Sequence, residues 1–167
     1  MSSLATKSVN FGGEKSNPRR PNTPISKITI HHMAGNCNPE NAAYDHLNGN
    51  RDVSANYYIG TDGTIVSGVS ENRRSWASSN KDNDYAAITI EVANNSGAPQ
   101  WTVSDAAYNS LINLCVDICR RYNITLNYTG NSNGTLTCHD MFKSTECPGP
   151  YLKSKLPEIS NIVNQRK

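Results

Sequence analysis

Two stretches of the 167-residue chain hold side chains able to do chemistry. One is His31, which ends the run Ser26-Lys27-Ile28-Thr29-Ile30-His31; the other runs from Cys138-His139 to Cys147-Pro148-Gly149. Zinc takes imidazole and thiolate in tetrahedral geometry, and a catalytic site uses three protein ligands with water in the fourth position. His31, His139 and Cys147 would make such a set. Their wide separation suits ligands drawn from distant strand and loop ends, whereas closely spaced cysteine pairs mark structural sites. On spacing alone the alternative stands beside it: surface histidines and a buried thiol. A third feature is Glu91, an acid near the end of Ala86-Ala87-Ile88-Thr89-Ile90-Glu91-Val92, where an aliphatic residue is expected and a buried charge needs a reason.

These groups need elements to hold them. Ser26 to His31 alternates polar and apolar residues with the period of a half-buried strand. Asn38-Pro39-Glu40 is a helix start, and Gly49 a stop, which predicts a helix over Pro39 to Asn48. The runs Ala55–Ile59 and Thr64–Val69 flank the turn Thr61-Asp62-Gly63 and should pair antiparallel. Residues Ala86 to Val92 read as a buried strand. From Ser104 to Tyr122 the apolar residues fall at helical spacing, with Ser104 as N-cap and Arg120 and Arg121 at the negative end of the dipole. Thr135 to His139 is a short strand, and the C-terminal segment reads as two helices divided at Pro157. Alternation along a strand sends His31 and His32 to opposite faces, so both cannot serve one site; the same holds for Cys138 and His139.

Strands alternating with helices give an α/β class: one domain over residues 26–167, with a central mixed sheet and helices on its faces. Residues 1–25 are polar and rich in Pro, Gly, Asn and Arg, and read as an arm without a regular hydrogen-bond ladder. The chain carries 16 Lys plus Arg against 14 Asp plus Glu, a formal +2, too small and too scattered for a nucleic-acid partner. No run approaches the roughly 18 apolar residues of a membrane span, and Met-Ser-Ser-Leu-Ala-Thr-Lys lacks the apolar core of a secretory signal. Five cysteines, an odd number, favour thiols or metal ligands over a disulfide framework. His46, on the helix, reads as a surface residue, and Cys115 and Cys119, one turn apart, as core.

Four motifs in order carry a resemblance: Ile28-Thr29-Ile30-His31-His32-Met33-Ala34-Gly35; Ser54-Ala55-Asn56-Tyr57-Tyr58-Ile59-Gly60-Thr61-Asp62-Gly63-Thr64-Ile65; Ala87-Ile88-Thr89-Ile90-Glu91-Val92; and His139 followed eight residues later by Cys147-Pro148-Gly149. Together they resemble the type 2 N-acetylmuramoyl-L-alanine amidases, a family that includes phage endolysins, bacterial autolysins and the peptidoglycan recognition proteins. The resemblance implies the recognition-protein fold, Zn²⁺ held by His31, His139 and Cys147, Glu91 as catalytic base, and Thr145 as a group that holds the oxyanion. The implied partner is bacterial peptidoglycan, with Trp76 and His32 lining the substrate groove, and the implied bond joins N-acetylmuramic acid to the L-alanine of the stem peptide.

The sequence departs from the family pattern in three places. Ala55 stands where lysozyme-type members have a catalytic Tyr, Thr145 where several have a Lys, and Trp76-Ala77 where Trp-His is frequent. These substitutions open the question of the transition-state donor, for which Lys143 is a nearby alternative. Two rival functions stand beside the enzyme: a peptidoglycan-binding module without catalysis, and a thiol hydrolase with Cys147 or Cys138 as nucleophile. The missing signal, for a substrate outside the membrane, leads to the expectation of a phage or prophage endolysin made in the host cytoplasm and released to the wall.

Overall fold

In the computed structural model, which describes residues 1–167, the alternating segments become a mixed sheet. Its six strands stand in the order β1 (Lys7–Ser8), β5 (Ile65–Ser67), β4 (Tyr57–Ile59), β7 (Ala87–Val92), β3 (Lys27–His32) and β8 (Leu136–Cys138). Strands β4, β7, β3 and β8 run parallel; β5 is antiparallel to β4 and carries β1 parallel to itself. A second ladder joins β2 (Ser16–Pro18) to β6 (Arg73–Ser75). Four helices complete the fold: α1 (Pro39–Asn48), α2 (Lys81–Ala86), α3 (Asp105–Tyr122) and α4 (Gly149–Arg166). None is long and apolar enough to cross a membrane.

Strand periodicity divides the sheet into two unlike faces. Ile28, Ile30, Ile88, Ile90, Leu136 and Cys138 point to one side, where they join Leu111, Leu114 and Ile118 of α3 and Leu152, Leu156 and Val163 of α4 in one cluster of 25 buried residues. The residues between them face the other way. Thr29, Thr89 and Thr137 form a polar row that α2 and β6 cover: Asn83 Nδ2 donates to Thr29 Oγ1 at 2.9 Å, Ser75 and Thr89 hydroxyls pair at 2.6 Å, and Thr29 and Thr137 hydroxyls at 3.0 Å. Buried hydroxyls are thereby satisfied, as burial requires. Two residues further along the same three chain segments come His31, Glu91 and His139, beyond the reach of α2. Register makes this row: Ile30 pairs with Ile90 and Cys138, and His31 with Glu91.

The elements near the site start where their caps dictate. Asn38 accepts from the backbone N–H groups of Glu40 and Asn41 ahead of Pro39, and Ser104 accepts from Ala107 N–H at 3.1 Å. A smaller cluster, including Ala42, Ala43, Ala55, Tyr58 and Val66, seats α1 on the β4–β5 part of the sheet.

Three expectations change. The C-terminal segment is one helix, with Pro157 inside α4. Pro157 is exposed, so the carbonyl it leaves unpaired can bond water, while Leu152, Leu156, Ile159 and Val163 stay buried in phase across it. The polar arm does form ladders: β1 pairs with β5 and β2 with β6, with Pro18 at the last paired position. Arg19 then fixes the arm by donating from Nε to Glu71 O at 2.8 Å, from Nη1 to Asp84 O at 3.0 Å and Tyr85 O at 2.8 Å, and from Nη2 to Ala87 O at 3.1 Å. The six-residue α2 and the three-residue β6 were not expected. The strand Thr135 to His139 is shorter than expected, with His139 opening a single 3-10 turn through Met141.

Candidate metal centre

His31 leaves the end of β3 and His139 the end of β8, on neighbouring parallel strands, so their rings meet with centroids 4.7 Å apart. Cys147 arrives from the loop before α4. Its Sγ lies 3.7 Å from His31 Nδ1 and accepts from the backbone N–H of His32 at 3.4 Å. The loop can bring it there because the next turn is tight: Gly149 has φ +81°, and a Cβ on it would stand 2.9 Å from Trp101 Cβ and 3.2 Å from His32 Nδ1. One ligand atom from each of His31, His139 and Cys147 lies within 4.8 Å of the others, close enough for one ion with ligand bonds of about 2 Å to gather all three.

The electrostatics suit a cation. Burial lowers the pKa of His31 well below the ordinary value, with the neighbouring His139 adding to it; burial and then Lys143 lower that of His139. Both imidazoles are therefore neutral, the form that binds metal. His31 Nε2 and His139 Nε2 are buried with no hydrogen-bond partner, a cost that protein interiors rarely accept without a ligand. Burial and the nearby Glu91 push the Cys147 thiol well up. A thiol so placed is a poor free nucleophile, yet a divalent ion would deprotonate it outright. Two imidazoles and one thiolate are the donor set that zinc takes with an open fourth position, so the residues fit that ion.

Glu91 stands on the central β7, 7% exposed, and its carboxylate has no protein hydrogen-bond partner. Burial pushes its pKa up to about 8, against the weaker downward pull of Arg51. It lines a cavity of about 310 Å³ together with His139, Cys147 and Thr145. Thr145 is exposed there, and its Oγ1 accepts from Cys147 N–H at 3.2 Å, which leaves the hydroxyl proton for another acceptor. His32, on the opposite side of its strand from His31, packs edge-on against Trp101 with centroids 5.2 Å apart and lines the same cavity.

A second cavity of about 580 Å³ holds Trp76, Arg74, Lys81 and the exposed Lys143. Trp76 is fixed there by its Nε1 donating to Asn17 Oδ1 at 2.7 Å. Arg51, Val53, Ala77 and His139 border both cavities, so the two form one trench past the histidine. Trp76 and Lys143 thus lie along the groove, apart from His31 and Glu91. Cys115 and Cys119 lie on the buried face of α3, in the core.

Sequence reasoning missed the wall that α1 contributes. His46 borders the Glu91 cavity, and its Nδ1 lies 2.8 Å from the Tyr58 hydroxyl. The signal was present: His46 is three and four residues beyond Ala43 and Ala42, the two alanines that α1 buries, which puts all three on one face.

The family model described as N-acetylmuramoyl-L-alanine amidase matches residues 21–150. No curated protein sequence matches the chain. Among solved structures, LysC, an N-acetylmuramoyl-L-alanine amidase from Clostridium intestinale URNW, superposes with TM-score 0.68 at 24% identity, covering 94% of this chain and 99% of that one. AmpD superposes with TM-score 0.71 at 19% identity, over 95% and 96% of the two chains. Peptidoglycan recognition protein SA of Drosophila does so with TM-score 0.66 at 20% identity, over 91% of each. At such identities the superpositions show a shared fold. The match of the family model over most of the chain shows more: this protein belongs to the N-acetylmuramoyl-L-alanine amidase family.

Proposed function

We propose that the protein is a zinc-dependent hydrolase that cuts the amide between N-acetylmuramic acid and L-alanine in bacterial peptidoglycan, with wall lysis as its use. The observation that carries this reading is the convergence of His31, His139 and Cys147, with two unpartnered buried ring nitrogens, beside an unpartnered carboxylate in one cavity. Zinc bound there would supply Lewis acidity toward the scissile carbonyl and a lowered pKa for water.

The chain's own groups supply the rest. Glu91 takes a proton from the attacking water at its carboxylate and returns it to the leaving amine nitrogen. Its burial raises the carboxyl toward neutrality, where proton transfer in both directions is efficient. The Thr145 hydroxyl, with its acceptor side bonded to Cys147 N–H, is free to donate to the carbonyl oxygen as negative charge develops on it. His32 and Trp76 line the trench along which the glycan and stem peptide lie. The thiol-hydrolase alternative asks Cys147 to be a free thiolate, and its burial beside Glu91 opposes that. The non-catalytic alternative has no use for an unpartnered acid facing the cavity. The endolysin role rests on relatives such as an endolysin amidase from Clostridium intestinale, whose fold this chain shares.

The test is mass spectrometry of peptidoglycan digested by the purified protein, with and without a chelator. Free stem peptides and uncut glycan strands, lost on chelation and recovered with zinc, are the expected result. Reducing sugar ends, or activity that ignores chelator and falls on alkylation of the metal-free protein, would overturn it.

A further inference from the structure

One polar pair, His46 in the cavity wall and the buried Tyr58 behind it, has no part in the reaction above. Tyr58 faces α1, in register with Glu91 on the adjacent strand, and its hydroxyl accepts from Ala55 N–H at 3.0 Å. The phenol's single proton then has one acceptor within hydrogen-bond reach, His46 Nδ1 at 2.8 Å. An imidazole that accepts at Nδ1 carries its proton at Nε2 when neutral. Burial keeps the ring neutral, lowering its pKa to about 4; Arg51 and Lys15 act in the same direction and Asp45 against it. Nε2 has no protein partner and, unlike the corresponding atoms of His31 and His139, is not shut away from solvent. The wall therefore presents an N–H of fixed direction to a cavity that also holds Glu91, His139 and Cys147.

The surroundings lack other donors of that kind. Ala42 and Ala77 bring only methyl groups to the cavity; of the donors that also line it, Arg51 is a charged guanidinium and the Thr145 hydroxyl sits beside Cys147, so neither is a neutral N–H held from behind. A neutral imidazole is also the donor best suited to a place beside a cation, because it polarises a carbonyl without adding charge that would repel the metal.

We propose that His46 is a substrate-contacting donor: its Nε2–H, oriented by the Tyr58 hydroxyl, bonds a carbonyl oxygen of the muramyl peptide lying across the Glu91 cavity. This inference rests on the amidase reading, and Tyr58 enters it as a positioning residue that acts through His46.

The experiment has two parts that fail separately from that reading. Nitrogen-15 NMR of the imidazoles, on metal-free and zinc-loaded protein, should show His46 as the Nε2–H tautomer from about pH 5.5 to pH 8, and Tyr58→Phe should give a mixture of tautomers. Hydrolysis of a soluble muramyl tripeptide by zinc-loaded protein should fall about tenfold in kcat/KM for His46→Ala, the loss of one hydrogen bond from the transition-state complex. His46→Gln, which keeps an N–H near the same point, should recover part of the rate, and thermal melting should be little changed. A Nδ1–H or charged His46 near neutrality overturns the inference, and so does a His46→Ala protein that hydrolyses at the wild-type rate. If His46→Ala fails to fold, the Gln variant decides: a rate as low as that of a Leu variant of equal stability overturns the donor role. Wild-type protein that folds, binds zinc and releases no peptide would instead overturn the amidase reading, while the NMR result still judges the tautomer.

Discussion

Glu91 is where one side chain tells most. An acid on a six-residue strand of otherwise apolar and threonine residues stood out in the sequence, and the sheet puts it on the central strand with its carboxylate unpartnered. Glu91→Gln keeps the shape and removes the group proposed above to carry the proton. We expect it to bind zinc as the parent does and to lose about 10²-fold or more in turnover, with metal content read by elemental analysis and rate by peptide release. Cys147→Ser makes the opposite separation: zinc content should fall, because a serine hydroxyl is a poor substitute for thiolate. Full occupancy in that variant would remove Cys147 from the ligand set. His46 shows what a sequence hides at this scale. Spacing from Ala42 and Ala43 marks the face it shares, but not what it meets there: its partner, Tyr58, comes from a hairpin 12 residues away.

Among the elements, those with strong local signals were legible: the strand ending in His31, the capped helix α1, the hairpin around Asp62-Gly63, and the amphipathic α3. The ones missed are held by tertiary contacts. Helix α2 is six residues of mostly polar type, too short to be stable by itself; Asn80 caps it, and the carboxylate of Asp84 is held by Ser78 and the N–H of Ala77. Pro157 misled in the other direction, since a proline reads as a break and the apolar stripe of α4 simply continues through it. Glu71, on the connection between β5 and β6, ties that connection to two elements, α3 and β4. It accepts from Arg121 Nη1 and Nη2 at 2.7 Å each, from the Tyr122 hydroxyl at 2.6 Å, and from the Tyr57 hydroxyl. Burial alone would raise its pKa, but the bonds from Arg121, Tyr122 and Tyr57 outweigh it and hold the carboxyl at about 2, below the ordinary 4.5. A depressed folded value means stability that is present above about 4.5 and lost as pH falls toward about 2. Glu71→Gln should lower the melting temperature at neutral pH and flatten its dependence on pH within that window. A variant whose melting curve tracks the parent's down to low pH would show that the cluster contributes nothing.

Over the whole molecule, the expected division into a polar arm and a domain at residue 26 meets a structure in which the arm supplies core. Val9 and Phe11 are buried at 1% and 4% exposure, Arg19 ties four carbonyls from two further segments, and Asn17 anchors Trp76 beside the trench. We propose that residues 1–18 fold as part of the catalytic unit. Deleting them should cost about 3–6 kcal/mol from the two apolar side chains alone, measurable by denaturant unfolding. An unchanged midpoint would restore the boundary at residue 26. Composition could not reveal this, because the two apolar anchors sit within a stretch otherwise rich in Pro, Gly and Arg.

Past His139 the hollow that holds Glu91 continues into the one that holds Trp76, with Arg51, Val53 and Ala77 where the two meet. A blind pocket would admit only a chain end or a detached fragment. An open channel lets a polymer be gripped anywhere along its length, so intact sacculi should be attacked from the start, with stem peptides appearing in solution before any shortening of the sugar backbone.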